Sequence, residues 1–212
     1  MTNAAAKSRG ANVSSRTVTM AETALLVAVT IIMGTTPLGT IRTPFLSVSL
    51  VTVPVAIAAM LIGPVGAIVC GTVFGITSFI NAVTGTSGLL SALFQISPFG
   101  VFVTAVIARL LDGLFTGLIF RALHRVTKGK SLSYYLTGLA APLLNTLFFM
   151  GSLILFFYHT DYIQNMASKL GTAGPFSFVV ALVGVQGLIE AAVGCALAGT
   201  VGYLLAKALH RS

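Results

Sequence analysis

Charge is scarce in this sequence. Asp, Glu, Lys and Arg make up 8% of its 212 residues against 56% hydrophobic, and only four side chains are acids. A soluble domain carries about 25% charged residues, so a water-facing globular fold is excluded. The mean hydropathy of +1.01 points to lipid. Cysteine is almost missing: Cys70 and Cys195 both lie in apolar runs, with no C-x-x-C, and read as small packing residues. No G-x-x-x-x-G-K-[ST] loop occurs, so the chain cannot hydrolyse ATP by that route. H-E-x-x-H and G-x-S-x-G are missing too. The three histidines, His124, His159 and His210, are far apart in sequence, and His159 with Asp161 reads as a solvated loop pair rather than a metal site. Neither a catalytic constellation nor a metal or cofactor site is expected.

What remains is apolar and helical by length. Six segments can be drawn: about Val18–Thr36, Ser49–Ile62, Val65–Val83, Ser97–Leu123, Tyr134–Tyr158 and Phe176–Leu209. The expected fold is all-α, an integral membrane bundle of six transmembrane helices. The second segment is short for a perpendicular span and is expected to be buried among its neighbours or extended at one end. Residues 1–17 read as a disordered basic cytoplasmic tail, and 18–212 as one transmembrane substrate-binding domain. No A-x-A cleavage site follows the first apolar run, which is read as a retained helix.

Orientation follows from the basic residues, which also account for the net charge of +8 better than nucleic acid does. Lys7, Arg9, Arg16, Arg121, Arg125, Lys128, Lys130, Lys207 and Arg211 fall on one side of a six-span arrangement, and only Arg42 and Lys169 on the other. Both termini are therefore expected in the cytoplasm. The outer side carries three connections, Pro37–Val48, Thr84–Ile96 and His159–Pro175, of a size that forms lids or binding surfaces.

A few polar residues interrupt the apolar runs. Arg109 and Asp112 lie within Pro98–Leu123, and Glu190 lies within Phe176–Ala206. Charge at membrane depth is costly and usually marks a cavity, a pair or a ligand path. At 1.5 Å per residue, Arg109 sits about 18 Å along its helix from Ser97, and Asn145 about 16 Å along its own from Tyr134. Both reach mid-depth. A guanidinium offers a planar fork to a carboxylate, and an amide offers a donor and an acceptor. Together they suit a small ligand with a carboxylate plus hydroxyl or amide groups, as in pantothenate. The competing reading is a structural ion pair of Arg109 with Asp112, at i, i+3, or with Glu190 across helices. Asn81, Gln95 and Ser97 are candidate contacts near the outer mouth, or helix caps. Gln186, one turn from Glu190, faces the same depth. Phe45, Phe74 and Phe79 are candidate apolar walls. Arg42 in the first loop is either a closing group, an anion attractor or a surface arginine.

Small residues recur at helical spacing. Ala21, Ala24 and Ala28 share one face of the first helix, Gly71-x-x-x-Gly75 lies in the third and Gly194-x-x-x-Ala198 in the sixth. Such spacing lets backbones approach closely in lipid, within one chain or between chains.

With these features in place, the chain from about Thr19 onwards resembles the substrate-binding S component of an energy-coupling factor (ECF) vitamin transporter. The resemblance rests on length, the six-helix layout, Ala24-x-x-x-Ala28 and LIGPVGAIVCGTVFGITSFINAVTG (Leu61–Gly85). SPFGVFVTAVIARLLDGLFTGLIFRAL (Ser97–Leu123) with APLLNTLFFM (Ala141–Met150) looks most like the pantothenate-specific members. The resemblance implies a multi-pass protein of a bacterial plasma membrane that captures a vitamin from outside. It implies as partners a transmembrane coupling subunit, docked through the alanine face, and two ATP-binding subunits that drive release. It also favours Arg109 and Asn145 as ligand contacts, and a subunit that topples within the membrane. Folate, cobalamin, niacin, riboflavin, biotin and thiamin are rival ligands. A stand-alone secondary transporter and a membrane enzyme using Asp112 and Glu190 are the readings from other classes. No convincing repeat between the halves supports the former.

Overall fold

A computed structural model describes residues 14–42, 47–128 and 131–209. Helix α1 (Ser15–Thr35) opens on Ser14, whose hydroxyl accepts from Arg16 N at 3.3 Å, satisfying one of the free amides at a helix start. A 3-10 turn at Pro37–Gly39 leads into an antiparallel ribbon, β1 (Thr40–Arg42) and β2 (Ser47–Ser49), with Thr40 opposite Ser49. Leu50 N donates to Gly39 O at 2.8 Å and closes its base. Phe45 and the side chain of Arg42 lie outside the described residues.

Helix α2 (Thr52–Leu61) has eight of its ten residues buried. Ten residues rise only about 15 Å, half a bilayer core, and the sequence has no polar face to offer water. The helix is therefore packed inside the bundle, one of the two outcomes expected of a run this short. Gly63, at φ +92°, turns the chain where a side chain would strain it, and Pro64 starts α3 (Pro64–Val83). Then come α4 (Gly88–Ile96), α5 (Pro98–Phe102), a π-helical turn (Val103–Ile107) and α6 (Ala108–Val126), the last three forming one continuous helical stretch. Helices α7 (Leu132–Phe157), α8 (Asp161–Lys169) and α9 (Pro175–Ala208) complete the chain.

Among the described residues, five helical stretches are long and apolar enough to cross a membrane: Arg16–Thr35, Pro64–Val83, Pro98–Val126, Leu132–Phe157 and Pro175–Ala208. With the shorter α2 they make the all-α bundle expected from the sequence. Many large apolar side chains face outward, Leu25, Leu147, Leu155 and Leu188 among them. That is the pattern of a surface solvated by acyl chains. The interior instead collects small residues and Thr104, Asp112, Thr116, Thr137 and Glu190.

Two connections read as loops contain helices. In 84–96, Leu90 and Leu93 are buried one turn apart on α4, and in 159–175, Ile163 and Ala167 are buried one turn apart on α8. Each helix has nine residues and a narrow apolar stripe. That is too short a run for periodicity to stand out, and helices of this length form through tertiary packing.

The small-residue motifs divide by use. A Cβ on Gly71 would stand 2.5 Å from Arg109 O, and one on Gly75 would stand 2.8 Å from Ala105 O, so this pair seats α3 against the π turn and α6. A Cβ on Gly194 would stand 2.6 Å from Gly138 O, which seats α9 on α7. Ala21, Ala24 and Ala28 are exposed on α1. The glycine motifs serve the chain's own packing, and the alanine face is left open.

Candidate functional site

The site is built around the π turn. Such a turn inserts one residue into the helix and disturbs the regular carbonyl ladder. Arg109 Nη1 donates to Thr104 O at 3.0 Å and to Ala105 O at 3.2 Å, both in that turn. Its guanidinium carbon lies 4.6 Å from the Phe74 ring centre and 5.0 Å from that of Phe149. The cation is thus held between an aromatic face of α3 and one of α7. Ring quadrupoles and carbonyl dipoles are negative toward it but carry no net charge. Only 7% of Arg109 is exposed, and its Nε has no hydrogen-bond partner among the described residues.

The acids near it do not neutralise it by contact. Asp112 is fully buried; its Oδ1 accepts from Thr116 Oγ1 at 3.2 Å, and its Oδ2 has no hydrogen-bond partner. Glu190 Oε1 accepts from Ser49 N at 2.7 Å and from Gln186 Nε2 at 3.2 Å. Among the described residues, Arg109 makes its side-chain hydrogen bonds to the two carbonyls alone. The expected alternative of a direct pair with Asp112 or Glu190 is not what the geometry presents. Asp112 acts on the cation through its charge and not through a hydrogen bond.

Two adjoining cavities meet at this cation. One, of about 410 Å³, lies under the ribbon and is bounded by Thr36, Ser78, Asn81 and Ser87. The other, of about 300 Å³, lies between α7 and α9 and is bounded by Asn145, Phe149, Gln186 and Glu190. Ser49, Phe74 and Arg109 line both. Volumes of this order suit a small ligand. Asn145 Oδ1 is buried without a hydrogen-bond partner, and a buried acceptor left open is costly. A ligand donor is one way to satisfy it.

Arg109, Asn145, Asn81, Gln186 and Glu190 therefore converge on the cavities. Asn81 also helps hold the fold together, because its Nδ2 donates to Gly34 O at 2.9 Å and ties the end of α1 to α3. Gln95 is exposed on α4, Ser97 caps α5 by accepting from Gly100 N at 3.2 Å, and neither lines a cavity. Phe79 lines neither and packs edge-on against Phe94 and Phe102. Sequence reasoning missed Phe149 as a partner of the arginine, and missed the hydroxyl lining from Thr36, Ser49 and Ser87. Phe149 stands four residues after Asn145, one turn along the same helical face, and that spacing was the available signal. The hydroxyl residues sit in segments whose shape the sequence does not specify.

A multi-pass helical bundle with a buried cation where two cavities meet is, as a class, a membrane protein with a polar binding cavity. The family model described as ECF transporter, substrate-specific component, matches residues 18–201. The chain belongs to that family. No curated protein matches it.

Proposed function

We propose that this subunit captures pantothenate, a small carboxylate with hydroxyl and amide groups, from outside a bacterial cell. It then delivers the vitamin through a transmembrane coupling subunit driven by two ATP-binding subunits. The observation that carries the reading is Arg109: a guanidinium held dry by carbonyls and aromatic rings, with no acid in contact among the described residues. Its charge is available to an anionic ligand at the junction of the two cavities. Asn145, with its open acceptor, supplies a polar contact further into the site, and Phe74 and Phe149 supply apolar surface. Ala21, Ala24 and Ala28, exposed together on α1, are the docking face for the coupling subunit. Both termini and the basic segments lie on the cytoplasmic side, so the ribbon and α8 face outward.

The test is binding by the purified chain in detergent, without nucleotide, across the water-soluble vitamins. Pantothenate is expected to bind most tightly. Arg109→Ala should weaken it by about 2 kcal/mol or more, the scale of one lost charged hydrogen-bonding partner, which is a factor of about 30. Preference for another vitamin refutes the ligand, and an unchanged affinity in the variant refutes the site.

A further inference from the structure

The polar groups of the second cavity are unequal. Among the described residues that line it, Arg109 is the one cation and Glu190 the one acid. One N–H of Gln186 is committed, because its Nε2 donates to Glu190 Oε1 at 3.2 Å. Acceptor capacity also stays open. Asn145 Oδ1 is buried without a partner, and the second oxygen of Glu190 carries no hydrogen bond among the described residues. A ligand that sets its carboxylate on Arg109 also meets these acceptors in the same cavity. It is complemented there by hydroxyl or N–H groups. A second anionic group beside Glu190 would face a carboxylate, with no second cation among the described lining residues to meet it.

We propose that Glu190 is a specificity-determining residue that restricts the ligand to a single negative charge and requires hydrogen-bond donors at its far end. This rests on the reading of Arg109 as the carboxylate site. The role is separable from holding the ribbon. Ser49 N binds Glu190 Oε1 at 2.7 Å, and a glutamine at this position keeps an amide oxygen to accept that bond and the one from Gln186. Glu190→Gln therefore removes the charge and leaves both hydrogen bonds possible, whereas Glu190→Ala removes everything.

The experiment compares two probes by calorimetry on the purified chain: pantothenate, and the same molecule with its primary hydroxyl phosphorylated. The native chain is expected to bind the phosphorylated probe at least about 100-fold more weakly, since like charges placed together in an interface are strongly disfavoured. In Glu190→Gln that gap should shrink by about tenfold or more, both probes being measured on the same variant so that any general loss of affinity cancels from the ratio. An undiminished gap in the variant overturns the proposal, because size and not charge then excludes the phosphate. Equal binding of both probes by the native chain overturns it as well. A second measurement needs no variant: on the native chain, methylating that hydroxyl should cost about tenfold, the scale of one buried hydrogen bond, and no loss overturns the donor requirement. If the native chain fails to bind pantothenate, the ligand assignment fails first and this inference falls with it. If pantothenate binds through Arg109 and the gap does not respond to Glu190→Gln, only this inference fails.

Discussion

Gly71 offers the sharpest test of how the cation is held. A methyl group added there would stand 2.5 Å from Arg109 O and 3.4 Å from the Arg109 carbonyl carbon. The obstacle is backbone, so no side chain can rotate out of the way, and α3 has to move off α6. Overpacking of this kind costs about 1–3 kcal/mol, against about 1 kcal/mol gained because alanine is the better helix former. Gly151 on α7 supplies the control, because a Cβ there meets nothing within 4 Å. Gly151→Ala keeps the propensity gain without the clash, so the two variants should differ by about 1–3 kcal/mol in stability. For a chain of this length that corresponds to roughly 2–12 °C in melting temperature. The assay is thermal unfolding of the detergent-solubilised protein, read by a thiol-reactive dye or by loss of the monodisperse peak. Phe74 rides on α3 one turn from Gly71, so the same displacement loosens the stack on Arg109, and ligand affinity should fall together with stability. Equal melting temperatures for Gly71→Ala and Gly151→Ala would refute close backbone contact as the device that positions Arg109.

Two further variants probe separate parts of the molecule. Ala24→Trp or Ala28→Trp should prevent recovery of the complex with the coupling and ATP-binding subunits in a pull-down, and leave vitamin binding unaltered, because both alanines are exposed on α1 away from the cavities. Intact assembly in both variants would remove α1 as the docking face. Asp112→Asn keeps the Thr116 bond to Oδ1 but removes a charge that acts on Arg109 without touching it, so stability should fall by about 1–2 kcal/mol. A loss of about 3–5 kcal/mol in chemical denaturation would instead reveal a buried pair with Arg109.

Long elements were legible in the sequence and local departures from them were not. The runs that became α1, α3, α7 and α9 stand out because twenty apolar residues with hardly a charge leave no alternative in lipid. The shortness of the 49–62 run left burial or extension at one end as the choices, and α2 takes the first. Arg109, Asn145 and Glu190 could be singled out because polar groups at that depth are rare. Their partners could not. The bond from Ser49 N to Glu190 joins residues 141 positions apart, and Asn81 reaches Gly34 across 47. No periodicity encodes such distances. The π turn left no mark either, since Val103–Ile107 (VTAVI) is as apolar and β-branched as its surroundings. That is why the arginine was weighed against acidic neighbours when its hydrogen bonds go to carbonyls.

The single extra residue in that turn has a mechanical meaning. Each residue of an α-helix advances the side chains by about 100° around the axis. Shortening Val103–Ile107 by one position would leave the composition of the span almost untouched yet swing everything beyond it by about that angle. The guanidinium would then exchange its seat between two rings for a view of a neighbouring helix or of lipid. Chain length at this spot, more than the choice of any one side chain, sets the compass bearing of the site.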